Sequence, residues 1–232
     1  MFGIFLVTKN WNCLCNKFNN DSLSMGNVMM KIAVWISGGG TTLRNILDCV
    51  SRGTLDVEVC LVVSSSSNSG GLEIARSEGI ETQIVRKSQF PCSDEYRDAM
   101  FGRCRELNVA YVVMAGFLKH VLIPKDFTNR VVNIHPSLIP AFCGKGMYGI
   151  RVHQAVVESG VTESGCTIHF VDNEFDHGPI IYQQTVQLVA GDVAEDVRAR
   201  VFVAECEAYP EVLRWLAAGR ISVDGSVVTV GS

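Results

Sequence analysis

Several things are missing from this 232-residue chain, and each absence removes a class of function. There is no basic surplus: 24 acidic residues outnumber 20 Lys and Arg, for a formal charge of −4, which gives no sign of a nucleic-acid surface. No apolar run is long enough to cross a membrane. Met1–Val7 is too short, and Lys9 follows it where a signal peptide would carry its charge in front. The nine cysteines include no CxxC pair and form an odd number, so they read as reduced thiols rather than a disulfide or zinc framework. The five histidines never take the HExxH spacing, and a metal site is not expected. Neither GxxxxGK[ST] nor the dinucleotide spacing GxGxxG follows the first strand, which disfavours nucleoside triphosphates and NAD.

What is present reads as one α/β domain over residues 31–232, preceded by an Asn-rich stretch of residues 1–30. That stretch reads as a nonessential extension, with Met25, Met29 and Met30 as candidate working starts. From Lys31 onward, apolar runs alternate with helical periodicity. Strands are expected at 31–37, 56–64, 81–85, 109–115 and 130–134. Helices are expected at 41–52, 70–78, 93–107 and 147–159. Strands at 167–171 and 180–188, a helix at 193–216 and an Asp224-Gly225 hairpin complete the chain. The order implies a Rossmann-like, mostly parallel sheet flanked by helices, with an antiparallel part near the C-terminus.

Two segments carry chemistry. Ser37-Gly38-Gly39-Gly40-Thr41-Thr42-Leu43 joins the first strand to the first helix, where free N–H groups and hydroxyls attract phosphate. A tight turn capped by Thr41 fits the same residues, and the spacing does not choose. In Asn133-Ile134-His135-Pro136-Ser137, Asn133 and His135 alternate on a strand that Pro136 halts, so both side chains share one side at its carboxyl end. An amide donor beside an imidazole suits a carbonyl oxygen that becomes an oxyanion. Asp176, in a turn-rich stretch before Gly178-Pro179, is either a simple turn former or the carboxylate of a triad. His169 reads as packed against a polar neighbour, and His120, His153 and His177 as solvent-facing. Gly144-Lys145-Gly146 reads equally as a flexible loop or a ligand lid.

Together with Ala115-Gly116-Phe117, Gly165–Val171 and Asp176-His177-Gly178-Pro179, these segments resemble the phosphoribosylglycinamide formyltransferases, a branch of the 10-formyltetrahydrofolate-dependent formyltransferases. The resemblance runs from about Lys31 to Gly225. It implies formyl transfer from 10-formyltetrahydrofolate, as co-substrate, to the amine of glycinamide ribonucleotide in purine synthesis. It also implies a catalytic trio of Asn133, His135 and Asp176, phosphate contacts from Gly40, Thr41 and Thr42, and a nucleotide contact from Glu205. Folate would lie along Leu118, Lys119, Val121, Leu122, Asn133, Val171, Asp172 and Asp176. A cytoplasmic monomer or homodimer that engages neither nucleic acid nor membrane is the expected setting.

Three departures from the family pattern stand out. Gly39 and Thr42 occupy places where Asn is common. Ser93 stands where some members hold the folate tail with Arg, leaving Arg86, Lys87 or Arg97 as substitutes. The 118–124 stretch is slightly long. The alternatives are a formyltetrahydrofolate hydrolase, whose motif carries a second His where Pro136 stands, and a folate- or nucleotide-binding protein without turnover. A methionyl-tRNA formyltransferase would need a further C-terminal RNA-binding domain, and only about a dozen residues follow Gly219.

Overall fold

The computed structural model describes residues 29–231; the expected extension, with Cys13 and Cys15, lies outside them apart from Met29 and Met30. The first strand, β1 (Met30–Ile36), is apolar on both faces because it lies in the middle of the sheet. Ile32, Val34 and Ile36 point into one core layer, while Ala33 and Trp35 point into the other. Next come α1 (Thr41–Ser51), β2 (Val57–Ser64), α2 (Gly71–Ser77), β3 (Glu81–Ile84), α3 (Ser93–Glu106), β4 (Tyr111–Met114) and β5 (Val131–His135). The C-terminal part holds α4 (Ile150–Ser159), β6 (Glu163–Phe170), β7 (Ile180–Gln187) and α5 (Ala194–Ala217). A small hairpin, β8 (Ile221–Asp224) and β9 (Val227–Val230), closes the described chain.

Seven strands form one sheet in the order β3-β2-β1-β4-β5-β6-β7. The five from β3 to β5 are parallel, and β6 and β7 join antiparallel, as the sequence pattern implies. Chain order reverses between β1 and β4, so the crevice outside their carboxyl ends is where an open sheet of this kind binds ligands.

Helix α5 lies over the same face as α1 and runs beside it in the same direction. The Asn45 side-chain amide donates to the Cys206 carbonyl at 2.9 Å, and the Arg214 guanidinium donates to that of Thr54 at 3.1 Å. By this pairing the start of α1 lies near the level of Phe202. Tyr209, fully buried on α5, places its hydroxyl 3.0 Å from the carbonyls of both Met114 and Val132, bracing β4 and β5 where the site begins.

Two boundaries differ from expectation. Helix α4 starts at Ile150, not Met147, because Gly144, Gly146 and Gly149 adopt positive φ (92°, 94° and 57°) and carry the chain as an irregular loop. Strand β6 starts at Glu163, ahead of Thr167, because Ser164 and Gly165 already pair with Val186 and Thr185 on β7.

Candidate active site

Antiparallel pairing of β5 with β6 sets His169 opposite Asn133 and Thr167 opposite His135. The Thr167 hydroxyl donates to the Ser137 carbonyl at 2.7 Å and accepts the Ile139 N–H at 3.0 Å, which fixes the chain just past Pro136. His169 has its Nδ1 2.8 Å from the Phe170 carbonyl, so Nδ1 carries the proton and donates. Its Nε2 is then an acceptor and takes an N–H of Asn133 at 3.2 Å. Burial pushes the His169 pKa down, which keeps the ring neutral and able to accept. One amide hydrogen of Asn133 is thereby pinned, and the other is left for the cavity.

His135 is buried, and its Nε2–H donates to the Phe142 carbonyl at 2.9 Å. Nδ1 faces Asp176 Oδ2 at 3.5 Å, an ionic contact too long for a full hydrogen bond. The ring therefore lies between a carbonyl at Nε2 and a carboxylate at Nδ1. Asp176 also faces His169 at 3.8 Å and accepts the Gly144 N–H at 2.9 Å. It sits at φ 54°, in a loop that turns back because Gly178 lets the chain pass the Phe170 carbonyl. A Cβ at Gly178 would lie 2.0 Å from that oxygen. His177 stays outside the group, exposed and paired with Asp172 at 2.8 Å.

These groups open on a cavity of about 440 Å³. Thr41 and Thr42 line one end. Leu118, Lys119, Val121, Val171 and Asp172 line another, and Glu205 looks in from α5. Gly40 and Leu122 do not line it. Gly40 serves packing: at φ 81° it is the residue before α1, and a Cβ there would meet Gly71 Cα at 2.5 Å. No side chain caps α1, so its first N–H groups are available beside the two threonine hydroxyls.

The apolar mouth is held by Asn173 and Phe175, to which the sequence assigns no role of their own, and by His120, expected to face solvent. The Asn173 side chain accepts the Ile123 N–H at 2.8 Å, and its carbonyl accepts the His120 Nε2–H at 2.9 Å. His120 packs on Phe175 with ring centroids 5.0 Å apart. Among the basic candidates for an anionic tail, Arg97 is committed to Asp94 and Asp98. Lys87 donates to the His120 carbonyl at 3.1 Å, beside the mouth.

Two groups on the opposite wall lack partners. Glu205 accepts no hydrogen bond among the described residues, and burial pushes its carboxyl up to about 7. His153 corrects the expectation of a solvent-facing residue: it is 3% exposed, because α4 turns Val152, His153 and Val156 inward. Its Nδ1 has no partner, and burial, with Arg198 and His135 nearby, pushes its pKa down to about 4. Among the described residues no group of three or more His, Cys, Asp or Glu could hold a metal ion. No helix there is long and apolar enough to cross a membrane.

Fold and site together define a class: an α/β protein with an amide–imidazole–carboxylate group at the carboxyl end of an open sheet. The chain belongs to the formyl transferase family, whose model matches residues 30–213. It is 42% identical over 196 residues to the chloroplastic phosphoribosylglycinamide formyltransferase of Arabidopsis thaliana, covering 82% of this chain and 66% of that protein, slightly under two thirds of its length. The phosphoribosylglycinamide formyltransferase of Escherichia coli is 36% identical over 197 residues, covering 84% of this chain and 90% of that one. A solved glycinamide ribonucleotide transformylase from Symbiobacterium toebii superposes with a TM-score of 0.82 at 37% identity, covering 89% of this chain and 96% of that one.

Proposed function

We propose that this chain transfers the formyl group of 10-formyltetrahydrofolate to the amine of glycinamide ribonucleotide, a step of purine synthesis. The observation that carries the reading is the Asn133 amide, pinned by His169 beside His135 and open to a cavity with two unlike ends. The end at Thr41 and Thr42 offers helix N–H groups and hydroxyls to a phosphate. The apolar end under Leu118 and Phe175, both about half exposed, offers a face to the flat folate ring system. Glu205, on the wall between them, accepts hydrogen bonds from the sugar part of the nucleotide.

In the reaction the neutral amine attacks the formyl carbon, and the carbonyl π pair moves onto oxygen. Asn133 donates its free N–H to that oxygen, and the positive charge of His135, held by Asp176, offsets the new negative charge. The attacking nitrogen loses a proton and N10 of the folate gains one as the C–N10 bond breaks, so protons balance without a covalent enzyme intermediate. The seven described cysteines are free thiols and take no part, in keeping with a reducing cytoplasm as the working compartment. The test is the absorbance change on deformylation of 10-formyl folate, with and without glycinamide ribonucleotide. Nucleotide-dependent release supports the transferase. Equal release without nucleotide means a hydrolase, and no release with ligands bound means a binding protein.

A further inference from the structure

The cavity is lined by two full cations, Lys119 at the folate end and Arg198 on α5. Arg198 forms no ion pair among the described residues. Beside it His153, buried on α4, lines the same cavity with its ring, whose Nδ1 is sealed from solvent and has no partner. A guanidinium without a carboxylate and a buried imidazole without a hydrogen-bond partner form a corner that repels cations and lacks only an anion. The corner's position narrows the anion down. Because α1 and α5 run in parallel, Phe202 is level with the start of α1, and Arg198 lies one turn further out, about 6 Å along the axis. Arg198 thus lines the cavity near the level of the free N–H groups at Thr41 and Thr42. Glu205, seven residues on, is about 10 Å down the same face and does not compete as a partner. The loop from Ser37 to Thr42 contains no charged residue, so a dianionic phosphate there has only neutral donors unless a cation reaches in.

We infer that Arg198 and His153 form a second anion-recognising pair, which clamps the phosphoryl group of the nucleotide against the start of α1 and makes Arg198 a determinant of specificity for the phosphorylated substrate. The inference rests on the proposed nucleotide substrate, but its chemistry, recognition of a phosphoryl group, is testable apart from turnover. A bound anion beside the His153 ring favours its charged form, opposing the burial that disfavours it.

The experiment compares wild type with Arg198→Gln, an exposed position where the fold is not at risk, and with His153→Gln. Inorganic phosphate and ribose 5-phosphate serve as probes in calorimetry, alongside steady-state kinetics. Losing a charge-assisted contact costs roughly 10–100-fold in affinity. Arg198→Gln should weaken both probes and raise the nucleotide KM by that factor, with kcat moving less than threefold and the folate KM fixed. The nucleoside lacking its phosphate should bind wild type and Arg198→Gln equally. His153→Gln should give a smaller loss of the same kind, together with loss of the proton uptake that accompanies phosphate binding to wild type. Unchanged phosphate affinity and nucleotide KM in Arg198→Gln would overturn the inference while formyl transfer by wild type kept the proposed function. Arg198-dependent phosphate binding in a protein that transfers no formyl group would do the reverse.

Discussion

The two walls of the cavity are built on opposite rules. Where β5 meets β6, the groups are partnered: Asn133 to His169, His169 to the Phe170 carbonyl, His135 to Phe142 and Asp176, and Asp176 to the Gly144 N–H. On the helical wall, Glu205, His153 and the first N–H groups of α1 face the cavity without protein partners. Under the proposed function the difference separates two tasks. Groups that must meet a charge appearing only in the transition state are fixed beforehand, since reorienting them would cost free energy during reaction. Groups that hold a ligand's permanent polar atoms are left unsatisfied, so that the ligand supplies what folding withheld.

Breaking the partnered wall should have the largest effect. Asn133→Ala and His135→Ala each remove one oxyanion partner, for an expected loss of ~10²–10³ in kcat with the fold intact. Steady-state rates and circular dichroism check both parts. Near-normal kcat for His135→Ala would sink the assignment. The double variant should lose much less than the product of the single losses, because the two act as a unit. Next in size is Gly178→Ala, whose Cβ would lie 2.0 Å from the Phe170 carbonyl and force the Asp176 loop to shift. A cost on the order of 2–3 kcal/mol and a drop in Tm of several degrees are expected, with kcat falling in parallel. A smaller break is His169→Phe, which keeps the ring volume but leaves the Asn133 amide unheld. About 1–3 kcal/mol of transition-state stabilisation should be lost, read as a fall in kcat with both KM values little changed. Were the KM values to move instead, Asn133 would be a binding group.

The partnered wall was the more legible of the two. Asn133 and His135 share a side because a strand has period two, and Pro136 marks its end, so both facts stand in five residues. His169 as the anchor of Asn133 was not readable, because it depends on the antiparallel register of β5 with β6, set across the loop and α4 between them. A histidine in a predicted strand, close to the Asn133 and His135 pair, is the available signal. The mostly parallel sheet followed from alternating apolar runs and helical periods. The start of α4 did not, since three positive-φ glycines carry a loop where periodicity suggested helix. His153 was misplaced for a related reason: a polar residue near a helix start reads as solvent-facing, while α4 and α5 together turn it into the cavity. The close approach of Gly71 adds a packing role to Gly40 that the sequence does not show.

The helical wall can be sharpened by removing a charge rather than a contact. Burial holds Glu205 at about 7, above its ordinary 4.5, so the folded state binds this proton more tightly than the unfolded chain. The stability it contributes is therefore complete below about pH 4.5 and is lost as pH rises through about 7. The shift sets a ceiling of about 3 kcal/mol, and water in the cavity should reduce this to on the order of 1 kcal/mol. Glu205→Gln, neutral at every pH, removes that slope. Its Tm should match wild type near pH 5 and exceed it by a few degrees at pH 8, while its affinity for the nucleotide falls. The opposite sign is what a carboxylate already partnered in the free protein would give: Glu205→Gln would then be the less stable at pH 8. Paired melting curves at the two pH values decide whether this wall is unsatisfied before the ligand arrives.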